Sequence, residues 1–293
     1  MTKLPAHTLT EADIAALLPP RPRDTHKGAN GRALLCVGSG RYAGAALLSA
    51  AAALRVGCGV LEAAVPREVR HVFAALPEAC CTAVGGGETW DEAAVEEAVK
   101  RFAGKQALGI GCGMDYVQSP RILEAALACD VPVVIDADGL NLLSRHRDLL
   151  NRLSSQAVLT PHPGEMARLT GLSVGEITRA PAAVAAEAAR AWRCTVLLKG
   201  AVTHIACGER AAMNETGNPG LSKGGSGDVL TGLIVGLLAQ GLAPFDAACA
   251  GAYLLGLSAD AALRLLGNRM LMAGDVIDAV RGTLRCIQNG PGD

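Results

Sequence analysis

Three glycines and a serine, Gly224-Gly225-Ser226-Gly227, lead through Asp228 into a strongly apolar helical stretch, 229–240. Glycines let successive backbone N–H groups converge, and a helix N-terminus adds partial positive charge, so such a loop can cradle a phosphate or a developing oxyanion. A carboxylate closes the loop. Placed beside a phosphoryl group, Asp228 has the position of a general base that would take the proton from a hydroxyl being phosphorylated. The plainer alternative is that Asp228 only caps the helix. The polar loop just upstream, Asn214-Glu215-Thr216-Gly217-Asn218-Pro219-Gly220, weighs against it, because two glycine-rich polar loops in series are costly without a ligand. The loop is not a Walker A motif: GxxxxGK[ST] is absent, and Lys223 precedes the glycines. Nor is Gly38-Ser39-Gly40 a dinucleotide fingerprint, since the next glycine, Gly44, falls one residue too far.

Two further segments carry side chains suited to a phosphate-transfer site. In Thr160-Pro161-His162-Pro163-Gly164-Glu165, prolines on either side of His162 restrict the backbone and hold the imidazole in one direction. Its structural alternative is a hydrogen bond to a loop carbonyl. Lys199 ends an apolar run and is followed by Gly200, which lets the backbone approach a nucleotide; the alternative is a lysine that snorkels to the surface. Gly109-Ile110-Gly111-Cys112-Gly113 and Asp136-Ala137-Asp138-Gly139 also follow apolar runs.

The elements that must position these residues alternate. Short aliphatic runs at 33–37, 60–65, 107–110, 131–136, 157–160 and 195–199 predict strands. Helical patterns are predicted at 44–55, 91–102, 119–129, 173–192, 229–240, 244–266 and 274–287. A hairpin is predicted between 203–206 and 211–214 across Cys207-Gly208-Glu209-Arg210. Alternation of this kind implies an α/β protein with a parallel sheet apolar on both faces, whose ligands bind at the carboxyl ends of the strands.

Composition narrows the function. The 293 residues are 50% hydrophobic, with 35 glycines, which fits a sizeable aliphatic core. With 27 basic against 28 acidic residues, no electrostatic footprint for nucleic acid or an anionic membrane exists, and only 3% of residues are aromatic, too few for base-stacking platforms as well as a core. The apolar stretches are interrupted by glycine or charge before the roughly 20 residues of a membrane span, so no transmembrane helix is expected. The N-terminus lacks the apolar core of a secretory signal. The ten cysteines form no CxxC pair and are expected to be reduced, mostly buried thiols of a cytoplasmic protein.

Taken in order, the segments resemble the ADP/ATP-dependent NAD(P)H-hydrate dehydratase family, a branch of the ribokinase-like superfamily. The resemblance runs through His26-Lys27-Gly28 and Gly31, Tyr42-Ala43-Gly44-Ala45 with 52–59, then 109–113, 134–141, 159–165, 198–203 and 214–232. It implies a three-layer α/β/α sandwich around a mainly parallel sheet, with residues 1–25 as an extension and 26–288 as a single domain. It further implies that hydrated NADH or NADPH contacts Ala45, Gly113, His162 and Asp228. The adenine nucleotide, ADP or ATP with Mg²⁺, would lie along Lys199, Gly200, Ala201, Val202 and Thr203 and reach Gly227, with Gly224, Gly225, Ser226 and Gly227 as an anion hole and Asp228 as the catalytic base. No direct protein ligand to the metal is implied. Cys112 stands where the family often has Pro, and Ser226 where it usually has Thr. By the same resemblance a homotetramer is expected, and epimerisation of the other hydrate stereoisomer would fall to a separate protein, because about 25 residues before His26 are too few for an epimerase domain. A vitamin-precursor kinase of the same superfamily and a non-catalytic nucleotide sensor are the alternatives. With so few aromatics, the bound rings are expected to rest on aliphatic side chains and backbone.

Overall fold

A computed structural model describes residues 6–267 and 269–289. Ten strands form one sheet: β1 His7–Thr8, β2 Arg32–Cys36, β3 Val60–Pro66, β4 Cys80–Val84, β5 Ala107–Ile110, β6 Val133–Ile135, β7 Ala157–Leu159, β8 Thr195–Leu198, β9 Thr203–Cys207 and β10 Arg210–Asn214. The helices are α1 Glu11–Leu17, α2 Ala43–Arg55, α3 Glu92–Val99, α4 Arg121–Ala128, α5 Ala137–Arg145, α6 Pro163–Thr170, α7 Val174–Arg179, α8 Pro181–Trp192, α9 Ser226–Ala239, α10 Pro244–Leu266 and α11 Ala273–Asn289.

The strand order is β1-β10-β9-β8-β7-β6-β5-β2-β3-β4, with β2 to β8 all parallel and β9 antiparallel to both its neighbours. Residues of β2 such as Leu35 belong to one apolar cluster, with α2, α9 and α10, while Leu34 and Cys36 belong to the opposite one, with α3, α4 and α8. A sheet covered on both faces must be apolar on both, which is why its strands read as continuous aliphatic runs. This is the expected α/β/α sandwich.

Because β2 pairs with both β3 and β5, the chain winds outward in two directions from that point. The helices that follow β2 and β5 leave to opposite faces of the sheet, while the first residues of the two loops stay in contact, Gly38 N–H donating to the Cys112 carbonyl at 2.8 Å; doubly wound sheets bind ligands at such a switch point.

Several elements differ from expectation. The predicted helix 173–192 is two, α7 and α8, because Pro181 cannot continue a helix begun before it and starts a new one at its first position. The hairpin is tighter than predicted: Cys207 pairs with Arg210, leaving Gly208 at φ +57 to turn the chain. The edge strand β1 has only two residues, and β4, Cys80-Cys81-Thr82-Ala83-Val84, is mostly half-exposed; neither is among the predicted strands. β1 pairs with β10, and α1 packs on α10 and α11, so residues 7–17 are built into the sandwich. By length and composition alone α10 would be long and apolar enough to cross a membrane, but 56% of its most apolar stretch is buried inside the fold, as in a core helix. Cys36, Cys58, Cys112, Cys194 and Cys249 are buried, whereas Cys80 and Cys286 are exposed, so the cysteines are less uniformly buried than expected.

Candidate active site

The carboxyl end of the sheet gathers the predicted residues from six separate segments. Gly225, at φ +99, is the N-cap of α9, and a Cβ there would lie 2.7 Å from Leu48 Cδ1, so both conformation and space demand glycine. Asp228 follows in the first turn. It is not the cap, and the simple capping role is therefore not what it fills. Burial pushes its carboxyl up to about 6; a hydrogen bond from the Cys112 thiol and the Lys199 charge act the other way, and the Asp136 charge adds to the rise. A carboxylate poised near neutrality at an anion-binding loop is suited to accept a proton.

Lys199 leaves β8 and points at two carboxylates, Asp136 Oδ1 at 2.9 Å and Glu165 Oε2 at 3.7 Å. Burial draws the ammonium pKa down, but these carboxylates more than offset it, and the net shift is upward. Lys199 is therefore a fixed cation. Asp136, 1% exposed, also accepts from Ala137 N–H at 2.8 Å and from Thr231 Oγ1 at 2.9 Å on α9. A Cβ on Gly227 would stand 3.6 Å from both Asp136 Oδ2 and Lys199 Nζ. The glycine loop, the lysine and this carboxylate thus meet at one point.

His162 caps α6: its Nδ1 accepts from Gly164 N–H at 3.0 Å and Glu165 N–H at 3.3 Å. The ring proton then sits on Nε2, 3.3 Å from Glu165 Oε1. Glu165 in turn accepts the His162 N–H at 2.8 Å. Burial and the Lys199 charge hold the imidazole pKa below its ordinary value, while burial raises that of Glu165. The histidine is a neutral, half-exposed group on the rim, held in one orientation by its own helix.

A cavity of about 580 Å³ opens here. Its polar wall carries His162, Lys199, Thr203 and Ser226, and its apolar wall Leu230 and Leu255. Gly200, Ala201 and Gly227 also line it; Val202 does not, although its carbonyl lies 3.0 Å from a Cβ placed on Gly200. No Phe, Trp or Tyr borders the cavity. Gly224, Gly225, Asp228, Ala45 and Gly113 lie outside its lining. The last two meet instead where the loops after β2 and β5 pack together: a Cβ on Gly113, at φ +64, would be 2.7 Å from Ala45 Cβ. Asp228 follows the cavity-lining Gly227 directly, and Cys112, the neighbour of Gly113, is among the groups that act on its carboxyl.

Sequence reasoning singled out the segments of Asp136 and Glu165 but not these carboxylates as site residues, and it missed Thr231 and the α10 wall. Asp136 offered a signal, a carboxylate directly after an apolar strand. Leu255 and Gly256 offered none, since they read as the interior of a core helix. A Cβ on Gly256 would lie 2.1 Å from Thr216 Oγ1, so glycine is what lets the 214–218 loop close against α10. Among the described residues, no group of three or more His, Cys, Asp or Glu is placed to hold a metal ion.

Fold and site together define a three-layer α/β/α protein with a cavity at the carboxyl end of a mainly parallel sheet. Residues 33–279 match the model of a family described as NAD(P)H-hydrate dehydratase, and the chain belongs to that family. It is 41% identical to the bifunctional NAD(P)H-hydrate repair enzyme Nnr of Moorella thermoacetica over 96% of this chain and 54% of that protein. The chain spans about half the length of the curated relatives it matches first. It is also 36% identical to the ADP-dependent (S)-NAD(P)H-hydrate dehydratase of Neisseria meningitidis, over 89% of this chain and 87% of that one. Among solved structures, the ADP/ATP-dependent NAD(P)H-hydrate dehydratase of Bacillus subtilis, co-crystallised with ATP and Mg²⁺, superposes with a TM-score of 0.83 at 32% identity, covering 96% of this chain and 99% of that one.

Proposed function

We propose that the protein dehydrates the S-epimer of NADH hydrate and NADPH hydrate, with ADP as phosphoryl donor, yielding NADH or NADPH, phosphate and AMP. The observation that carries this reading is Asp228: a half-buried carboxylate that closes a glycine loop beside a nucleotide-sized cavity, its proton affinity raised, in a chain of this family.

Hydroxide is a poor leaving group from C6 of the hydrated ring, and phosphate is a good one. Asp228 accepts the C6 hydroxyl proton as that oxygen attacks the terminal phosphorus of ADP; the new O–P bond forms, and the bond to AMP breaks. The ring nitrogen's lone pair then expels phosphate as the C6–O bond breaks, and loss of the proton on the adjacent carbon restores the double bond. Lys199 and the N–H groups of Gly224 to Gly227 face the transferring phosphoryl group, a fixed positive environment that needs no reorganisation. His162, neutral and held by Glu165, contacts the hydrate at the rim. The donor's base rests on Leu230 and Leu255 and its phosphates run along Lys199 to Thr203.

Mg²⁺ carried on the nucleotide would neutralise charge on the phosphates. Among the described residues no carboxylate cluster is free to ligate it, since Asp136 and Glu165 are already paired with Lys199, so the ion would be held by the nucleotide's phosphates rather than by a dedicated protein site.

The test mixes purified protein with NADH hydrate, Mg²⁺ and either ADP or ATP. Return of reduced-nicotinamide absorbance with release of phosphate is expected, faster with ADP. A stable phosphoester would instead mark a kinase, and silence with both donors would overturn the proposal.

A further inference from the structure

Two of the three tyrosines stand in the open, Tyr42 at 41% and Tyr116 at 63% exposure, while Tyr253 is buried. Both belong to the paired loops that follow β2 and β5, next to Ala45 and Gly113. Tyr42 follows β2 and Tyr116 follows β5; the two loops are tied by Gly38 N–H donating to the Cys112 carbonyl at 2.8 Å, and a Cβ on Gly113 would lie 2.8 Å from Tyr42 Cβ.

Both exposed rings are held in place. The Arg41 guanidinium lies 5.2 Å from the centre of the Tyr42 ring, and that of Arg145 lies 4.8 Å from Tyr116. Arg145 Nη2 also donates to the Val117 carbonyl at 2.5 Å, while Asp138 Oδ2 accepts the Asp115 N–H at 2.8 Å. Helix α5 thereby fixes the loop on both sides of Tyr116, with Asp115 at φ +61. Ordering an aromatic ring without burying it costs entropy and returns little hydrophobic free energy. A pre-ordered tyrosine backed by arginine is, however, what a stacking surface for a heterocycle with attached phosphates requires. The loop after β2 also holds Ser39, 1% exposed, whose hydroxyl has no hydrogen-bond partner.

The donor cavity, with Lys199, Thr203 and Asn214 in its walls, lies at the β8 to β10 end of the site. A dinucleotide whose ring meets Asp228 while a donor fills that end has its free path the other way, toward β2. We propose that Tyr42 and Tyr116, each backed by its arginine, form a rim that grips the adenosine diphosphate half of the hydrated dinucleotide, with Tyr116 stacking on adenine. This rests on a hydrated dinucleotide being the substrate.

The test is calorimetric titration of the full chain, without donor, using NADH hydrate and the hydrate of reduced nicotinamide mononucleotide, which lacks the adenosine half. Tyr116→Ala should weaken the dinucleotide hydrate about tenfold, the factor one stacked base supplies, and Tyr116→Phe should change it less than about twofold. The mononucleotide hydrate should bind all three proteins alike. In turnover, Tyr116→Ala should raise KM for the dinucleotide hydrate and spare kcat. Unchanged affinity for the dinucleotide hydrate, or equal losses for both hydrates, would overturn the rim, as would failure of either hydrate to bind the wild type. Absent turnover in the wild type with normal binding would count against the dehydratase proposal and leave the affinity comparison to decide the rim.

Discussion

Replacing Asp228 by Asn should trade activity for stability, and the sign can be worked from the structure. Burial lifts the carboxyl from an ordinary 3.8 to about 6 in the folded protein. Between those two values the folded state holds a proton that the unfolded chain has released, so stability falls as pH rises through that window. Above about pH 6 the penalty is complete. A rise of that size corresponds to ~3 kcal/mol as an upper bound, and the partial solvent access of Asp228 reduces it to roughly 1–3 kcal/mol. Asparagine keeps the shape without the charge. Asp228→Asn should therefore melt a few degrees higher than wild type at pH 8, with the advantage shrinking toward zero below pH 4. Turnover should fall about 10²-fold or more, because the hydroxyl proton loses its acceptor. The wild type's kcat/KM should decline as pH drops through about 6, where the base becomes protonated. Thermal melts of both proteins from pH 4 to 8, alongside the hydrate assay, measure all three. A variant that melts lower than wild type at pH 8, or keeps most of its activity, would refute the reasoning.

Lys199→Met should leave Asp136 and Glu165 facing each other without their cation. The stability loss should be about 2 kcal/mol, discounted from the ~3–5 kcal/mol of a fully buried pair because the lysine is 23% exposed; donor KM should rise at least about tenfold, and unchanged donor KM in steady-state assays would remove Lys199 from the phosphate site. Gly111→Ala would set a Cβ 1.9 Å from the Asp136 carbonyl oxygen at φ +126, at a cost above ~3 kcal/mol. Gly175→Ala, in the open on α7, should stabilise by a few tenths to ~1 kcal/mol; equal denaturation midpoints for these two alanine variants would contradict that account.

How far the sequence reached can be argued from particular residues. The aliphatic runs at β2, β3, β5, β6, β7 and β8 were legible because strands buried on both faces need no alternation and stand out as continuous apolar stretches. The glycine loop before Asp228 was legible because its chemistry is local: adjacent amides and a helix start. The break at Pro181 was written in the sequence too, but the surrounding alanines masked it. The edge strand β4 was not legible: its run Cys80-Cys81-Thr82-Ala83-Val84 is apolar but short and cysteine-rich, and pairing on one side only leaves most of it half-exposed.

By itself, then, the sequence determined the alternation of strands and helices, the glycine loop and the carboxylate that closes it, all set by neighbours a few residues apart. Tertiary structure decided the rest. Lys199 and Asp136 lie 63 residues apart and meet only because β6, β7 and β8 are consecutive in the sheet. Gly113 meets Ala45 because β5 returns to pair with β2, an order that no local pattern encodes. The raised proton affinity of Asp228 has the same origin: burial and the carboxylate of Asp136 perturb it, and both arrive from distant segments once the chain is packed.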